Sequence, residues 1–194
     1  MPSLPASYFD ALYTGNSDPW GFASSDYESA KYAATMAALP QQRYRAGLEV
    51  GCSIGVLTAA VASRCDTLLA IDVAEAALAS ARQRNADCRH VRFERGAFPS
   101  DLPAGLPALG FDLLLLSEVL YYLDGAALAD AALRTLDLTR PGSDIVLVHW
   151  LGPTPDYPLT GEQAANMFIS ELGPEVELLM HRRWPEYRID VLRR

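Results

Sequence analysis

Lysine, cysteine and histidine are scarce in this chain, and long apolar runs are missing. Of the 16 basic residues only Lys31 is a lysine, and the formal charge is −8 with an isoelectric point near 4.8. With no basic stripe to neutralise phosphates, a nucleic-acid partner is not expected. Cys52, Cys65 and Cys88 are an odd number, and Cys52 sits in a glycine turn, which argues against a disulfide framework and for a reducing, cytoplasmic setting. Cys88-Arg89-His90 is one close pair without a second, so no metal site is expected. Runs such as Leu113 to Leu116 are far too short to cross a bilayer, and Met1-Pro2-Ser3-Leu4-Pro5 lacks the charged start and apolar centre of a signal peptide. No membrane association is expected.

Apolar residues are abundant in total: they make up 50% of the 194 residues, enough for one domain with a substantial core and too few for two. Residues 1–40 read as an appendage ahead of the first core strand, and residues 41–194 as the core. The appendage concentrates Tyr8, Phe9, Tyr13, Trp20 and Phe22 around the turn-prone Gly15-Asn16-Ser17-Asp18-Pro19 without a strand period. Asp26 is placed to cap a helix over Tyr27 to Leu39, which Pro40 ends. Packing on a sheet edge and closing over a ligand are both open roles for this segment.

From residue 47 onward strands and helices alternate. Gly47 to Val50 reads as a buried strand and Val56 to Arg64 as a helix; Thr67 to Ile71 is a strand ending in Asp72, then Ala74 to Asn85 a helix. His90 to Glu94 alternates like a strand, and Pro99, Pro103 and Pro107 make Gly96 to Gly110 a loop. Phe111 to Leu116 is bare of charge after Asp112, as a central parallel strand covered on both faces must be. Ala126 to Asp137 is a helix stopped by Pro141-Gly142, Asp144 to His149 a strand, and Gly161 to Leu172 a helix. Val176 to Arg183 and Tyr187 to Leu192 read as a terminal antiparallel pair. This order predicts an α/β fold with a Rossmann-like doubly wound sheet of about seven strands, mostly parallel with an antiparallel C-terminal strand, plus the N-terminal helical lid.

The organising stretch is Glu49-Val50-Gly51-Cys52-Ser53-Ile54-Gly55: strand, glycine turn, helix. Glycines tolerate positive φ and let backbone approach a ligand, and the following helix offers free N–H groups. Three chemistries use such a turn. A dinucleotide site wants G-x-G-x-x-G, but Ser53 occupies its middle glycine. The G-x-S-x-G nucleophile elbow is matched by Gly51 to Gly55, with His149 and His181 downstream, although the aromatic segment ahead of it supplies neither the earlier strands nor the oxyanion loop that an elbow needs. A ligand with ribose and adenine but no pyrophosphate is the third, with Asp72 suited to ribose hydroxyls and Glu49 to a positively charged group.

The acidic residue at 49 with glycines at 51 and 55, Asp72 at the next strand end, and Phe111-Asp112-Leu113-Leu114-Leu115-Leu116-Ser117-Glu118 together resemble the S-adenosylmethionine-dependent methyltransferases over about residues 45 to 150. The resemblance implies cofactor binding by Glu49, Gly51, Ser53, Gly55, Asp72, Val73, Ala97, Phe98 and Ser117. Ala97 stands where many members carry a carboxylate for adenine N6, so the adenine is expected to rely on backbone groups and on Phe98 as an apolar wall. Ser17-Asp18-Pro19-Trp20, Tyr27-Glu28, Lys31-Tyr32 and Glu118-Val119-Leu120-Tyr121-Tyr122-Leu123 further resemble the NodS-type nodulation methyltransferases, which N-methylate a free amine on a chitooligosaccharide. That likeness implies that Trp20 and Tyr27 close over the cofactor, with Lys31 near its carboxylate.

The expected activity is therefore N-methylation of a small-molecule or saccharide amine; O-methylation, or cofactor binding without catalysis, stays open. Glu118 and His149, at the ends of successive strands, are the candidate catalytic pair, because ligands of α/β sheets sit at the carboxyl ends of the strands. Tyr121, Tyr122 and Trp150 are candidates for the acceptor pocket.

Overall fold

The computed structural model describes all residues, Met1–Arg194, and they group into two compact units, Pro5–Gly105 and Met1–Leu4 with Leu106–Arg194. The seven strands form a mixed sheet, mostly parallel, with antiparallel pairing confined to the C-terminal strands. No helix is long and apolar enough to cross a membrane.

The unit Pro5–Gly105 contains α1 (Ala6–Gly15), α2 (Asp26–Ala38), β1 (Tyr44–Val50), α3 (Val56–Ala62), β2 (Cys65–Asp72), α4 (Glu75–Arg84) and β3 (Val91–Arg95). Its strands run parallel in the order β3-β2-β1, with Val50 opposite Ile71 and Asp72 opposite Arg95, so their carboxyl ends lie level. Apolar residues from Leu68 to Ile71 are buried on both faces, as a parallel strand covered by helices requires. The segment expected to lack a period holds helix α1, whose Tyr13 is buried against Ile54, Ala74 and Ala77 with Phe9, Trp20 and Phe22 around it. The cap of α2 is Ser25, one residue ahead of the expected Asp26; its hydroxyl accepts from the Glu28 N–H.

The other unit contains β4 (Phe111–Ser117), α5 (Gly125–Leu138), β5 (Thr139–Trp150), α6 (Gly161–Leu172), β6 (Glu177–Arg183) and β7 (Tyr187–Arg193). The order is β4-β5-β7-β6; β4 and β5 are parallel, and β7 runs antiparallel to both neighbours. Asp124 caps α5 through the N–H groups of Ala126 and Ala127, and α6 opens with a Thr160–Gln163 capping box. Pro141-Gly142 does not separate helix from strand as expected. The helix ends at Leu138 and both residues lie inside β5, exposed at a bulge where the missing proline donor costs nothing. The first four residues belong to this unit rather than to a lid: Ser3 exchanges two hydrogen bonds with Asp124, and the Leu4 N–H donates to the Tyr122 carbonyl.

Candidate functional site

The carboxyl ends of β1 and β2 build the first cluster. Gly51, Ser53 and Gly55 all take positive φ, at 73°, 51° and 74°, which turns the chain tightly from β1 into α3. The N–H groups of Gly51 and Cys52 donate to the Ile71 carbonyl, pinning the turn to β2. From behind, Asn85 Nδ2 donates to the Gly55 carbonyl and Arg84 Nε to that of Ile54. A Cβ on Gly55 would lie 2.9 Å from the Cα of Ala81 and 2.6 Å from Asn85 Nδ2. Packing against α4 therefore by itself demands a glycine at 55.

Glu49 and Asp72 are buried side by side in this cluster. Asp72 accepts from the N–H of Ser53 at 2.8 Å and of Ala74 at 2.9 Å, one on each oxygen, which leaves part of its acceptor capacity. Burial lifts its carboxyl above the ordinary range, opposed by those backbone donors. Glu49 is 2% exposed, and its Oε2 has no hydrogen-bond partner. Burial, opposed by Thr58 and reinforced by Asp72, pushes the Glu49 carboxyl up to about 8. A buried carboxyl oxygen without a partner is costly unless something completes it, and a cationic or donor group of a ligand does so.

Ser53 contributes its hydroxyl to Tyr13, with the two oxygens 2.5 Å apart. That contact disposes of the nucleophile-elbow alternative, because each of the three histidines is engaged elsewhere. Trp20 stands edge-on to Tyr13 and stacks on Phe22, held by a turn in which Asp18 accepts from the N–H groups of Phe22 and Ala23. Lys31, expected near the cofactor's carboxylate, is 2% exposed; its ammonium lies 3.0 Å from Glu28 and 5.1 Å from the centre of the Tyr27 ring. The i,i+3 spacing on α2 makes that pair before any ligand arrives.

Val73 follows the strand end, and its carbonyl accepts from Arg95 Nε. Ala97 differs from expectation: its N–H and carbonyl are both taken by Asp101, at 2.7 and 2.6 Å, so its N–H is unavailable to an adenine. Phe98 is half-buried beside it.

The second cluster lies at the carboxyl ends of β4 and β5. Ser117 closes β4, and Glu118 follows at φ 58° with its N–H on the Val148 carbonyl. Glu118 Oε2 accepts from the Tyr121 hydroxyl at 2.9 Å and from the Trp150 N–H at 2.8 Å. Trp150 fits because Gly152 and Gly161 lack side chains: a Cβ there would lie 2.3 Å from its ring and 1.9 Å from its carbonyl. Tyr121 is buried, edge-on to Tyr122 and to His149. His149 is wholly buried, with Nε2 accepting from the Leu120 N–H at 3.3 Å. That bond ties His149 to the turn after Glu118.

A family model, nodulation protein S (NodS), matches residues 13–148. The chain belongs to the NodS family. NodS of Sinorhizobium fredii strain NGR234 is 31% identical over 131 residues, 66% of this chain and 59% of that protein. NodS of Rhizobium tropici is 30% identical over 170 residues, 84% of this chain and 68% of that protein. The chain thus spans less than two thirds of the NGR234 protein's length. Among solved structures, a Pseudomonas syringae protein assigned as a methyltransferase is 34% identical, with a TM-score of 0.74 over 87% of this chain and 99% of that one. The NodS N-methyltransferase of Bradyrhizobium japonicum WM9, solved with S-adenosylhomocysteine, shares the fold at a TM-score of 0.80 over 97% of both chains and 22% identity.

Sequence reasoning missed three parts of these clusters. Tyr13 was visible only as aromatic density, Asn85 only as a helix end, and Tyr157 not at all. Tyr157 lies in the loop between β5 and α6, stacks on Tyr121 and stands edge-on to Tyr122. Its partners are more than thirty positions away in the chain, so no local pattern announces it.

Proposed function

We propose that the chain is an S-adenosylmethionine-dependent N-methyltransferase acting on a small-molecule or saccharide amine. The observation that carries the reading is the buried Glu49 carboxyl with its orphaned Oε2 beside Asp72, at a glycine turn of positive-φ residues. A ligand bearing both ribose hydroxyls and an ammonium or sulfonium satisfies both carboxyls. Family membership supports the same ligand. When bound, the sulfonium supplies an activated methyl group.

In this reading Glu49 engages the cationic end, Asp72 the ribose, and Gly51 with Ser53 offers close-packed backbone. Val73, Phe98 and Ser117 flank the nucleoside, and Ala97 acts through its position alone. Trp20 and Tyr27 cover the ligand, and Lys31 holds Tyr27 and Glu28 in place. Glu118 orients the acceptor amine and accepts its proton, while His149 fixes the turn that carries Glu118. Tyr121, Tyr122 and Trp150 wall the acceptor. Transfer from a sulfonium needs little acid chemistry, and holding a deprotonated amine in line recovers several of the roughly 7–11 kcal/mol that proximity and orientation can supply.

Calorimetric titration of the wild type, Asp72→Asn and Asp72→Ala with S-adenosylmethionine and S-adenosylhomocysteine tests the cofactor. Binding to the wild type that weakens in Asn and disappears in Ala, with both variants folded, supports the reading. Failure of the wild type to bind either compound ends it. Methyl transfer from labelled S-adenosylmethionine to a chitooligosaccharide with a free amine, compared with its N-acetylated form, then separates N- from O-methylation; binding without transfer to either leaves a non-catalytic cofactor binder.

A further inference from the structure

Strand β6 ends the sheet: in the order β4-β5-β7-β6 its one partner is β7, and no strand lies along its outer edge. Six of its seven residues are exposed, Leu178 by 50% and Leu179 by 40%, and Met180 is half-buried. An edge with unpaired N–H and C=O groups is ordinarily closed off by proline, by a charge at its centre or by brevity. Here the edge runs for seven residues and carries Leu178-Leu179-Met180 toward its middle. Its protective feature is a bulge: Leu178 lies opposite Leu192 and Met180 opposite Val191, which makes Leu179 an extra residue. That bulge presents leucine, not a charge. The charges stand at the two ends and differ in sign, with Glu175 and Glu177 before the apolar run and Arg182 and Arg183 after it. Arg183 is taken by Glu162 on α6 and His181 by Asp190 on β7, but Glu177 and Arg182 make no ion pair within the chain. Register places those two on one face: Glu177, Met180 and Arg182 lie opposite Arg193, Val191 and Ile189, alternate residues of β7 that share a side of the sheet.

We propose that β6 is the contact edge of a two-fold homodimer, in which the β6 strands of two copies pair antiparallel and continue the sheet from one subunit into the other. Charge decides the occupant. Antiparallel pairing sets the acidic start of one strand beside the basic end of the other, so Glu177 of each copy meets Arg182 of the second copy on one face, with Met180 between the two pairs. A parallel arrangement would set like charges against each other. The same surface serves both copies, so the contact closes at two. A seven-residue edge covers Leu178 and Leu179 but makes a small interface, which belongs with the weak, concentration-dependent associations.

The test is sedimentation velocity of the chain across concentration, for wild type, Glu177→Arg, Arg182→Glu and the variant carrying both changes. Wild type is expected to move from 21.1 kDa toward twice that mass as concentration rises. Each single reversal sets like charges against each other at both ends of the paired strands, and is expected to raise the dissociation constant by about tenfold. Carrying both reversals in one chain restores the dimer. Mixing the two single variants restores it too, because each then meets opposite charges on the other. Both positions are exposed, so the unfolding midpoint of every variant is expected to equal that of wild type. Wild type that stays at 21.1 kDa at every concentration overturns the proposal. So does a dimer that neither reversal weakens, or one that the mixture of single variants fails to re-form, since the contact then lies on another surface. A mass that climbs past two copies overturns it as well, because a two-fold contact cannot extend.

Discussion

The hydroxyls of Tyr13 and Ser53 meet at 2.5 Å, so helix α1 is fastened directly to the glycine turn. Ser53 in turn gives its N–H to Asp72, and one short chain of hydrogen bonds runs from the N-terminal segment through the turn to the end of β2.

The two ends of that bond are unequal. Tyr13 is buried and Ser53 is not, so Ser53→Ala strands a buried phenol, at about 1–3 kcal/mol, whereas Tyr13→Phe leaves a serine that water can reach, at about 1 kcal/mol. Urea unfolding of both variants is expected to rank Ser53→Ala as the more destabilised. The reverse ranking means that the bond does not hold α1.

Glu49 makes stability depend on pH. Its folded-state carboxyl titrates near 8 against an ordinary value of 4.5, so the folded protein binds the extra proton. The stabilisation from that proton is complete below about 4.5 and is lost as pH rises through about 8. Thermal unfolding of the ligand-free protein between pH 5 and 9 is expected to show a falling Tm that Glu49→Gln flattens. Affinity for S-adenosylhomocysteine, with its cationic amino group, is expected to rise over the same interval in the wild type only.

Gly55→Ala brings a methyl group to 2.9 Å from the Cα of Ala81 at a φ of +74°. Overpacking against backbone and the strained φ together cost about 2–5 kcal/mol, read as a lower denaturant midpoint. Loss of cofactor binding at unchanged stability would instead restore the ligand-approach role to this glycine.

Arg188 and Asp190 form a sealed ion pair on β7, at 2.8 Å with side chains 3% and 0% exposed, and Arg188 also reaches Glu162 and Asn166 on α6. Arg188→Ala leaves Asp190 charged and buried with His181 as its remaining neighbour, at about 3–5 kcal/mol. Chemical denaturation of Arg188→Ala against the wild type is expected to show that loss as a lower midpoint.

Glu118→Gln keeps an oxygen that can accept from Tyr121 and Trp150, so stability is expected within about 1 kcal/mol of wild type while turnover falls by about 10²-fold. His149→Ala opens a buried space and orphans the Leu120 N–H, so its loss is expected in stability first, by about 2–4 kcal/mol. Equal stability and equal kcat loss in the two variants would return His149 to a chemical role.

The sequence by itself determined the alternation of strands and helices, the glycine turn, the acidic residues at strand ends and the family, because each is written in local spacing: apolar period, turn residues, one carboxylate per strand end. Even β4, bare of charge after Asp112, and the antiparallel terminal pair were legible that way. Tertiary structure alone decided which of those residues remain available to a ligand. Gly55 faces α4, Lys31 faces Glu28, Ala97 is bonded to Asp101, and His149 gives its lone pair to Leu120. Tyr13, Asn85 and Tyr157 gain their roles from partners 30 or more positions away. Spacing along a chain specifies where a side chain is presented; which neighbour satisfies it depends on packing between elements, and a single sequence carries no local trace of that.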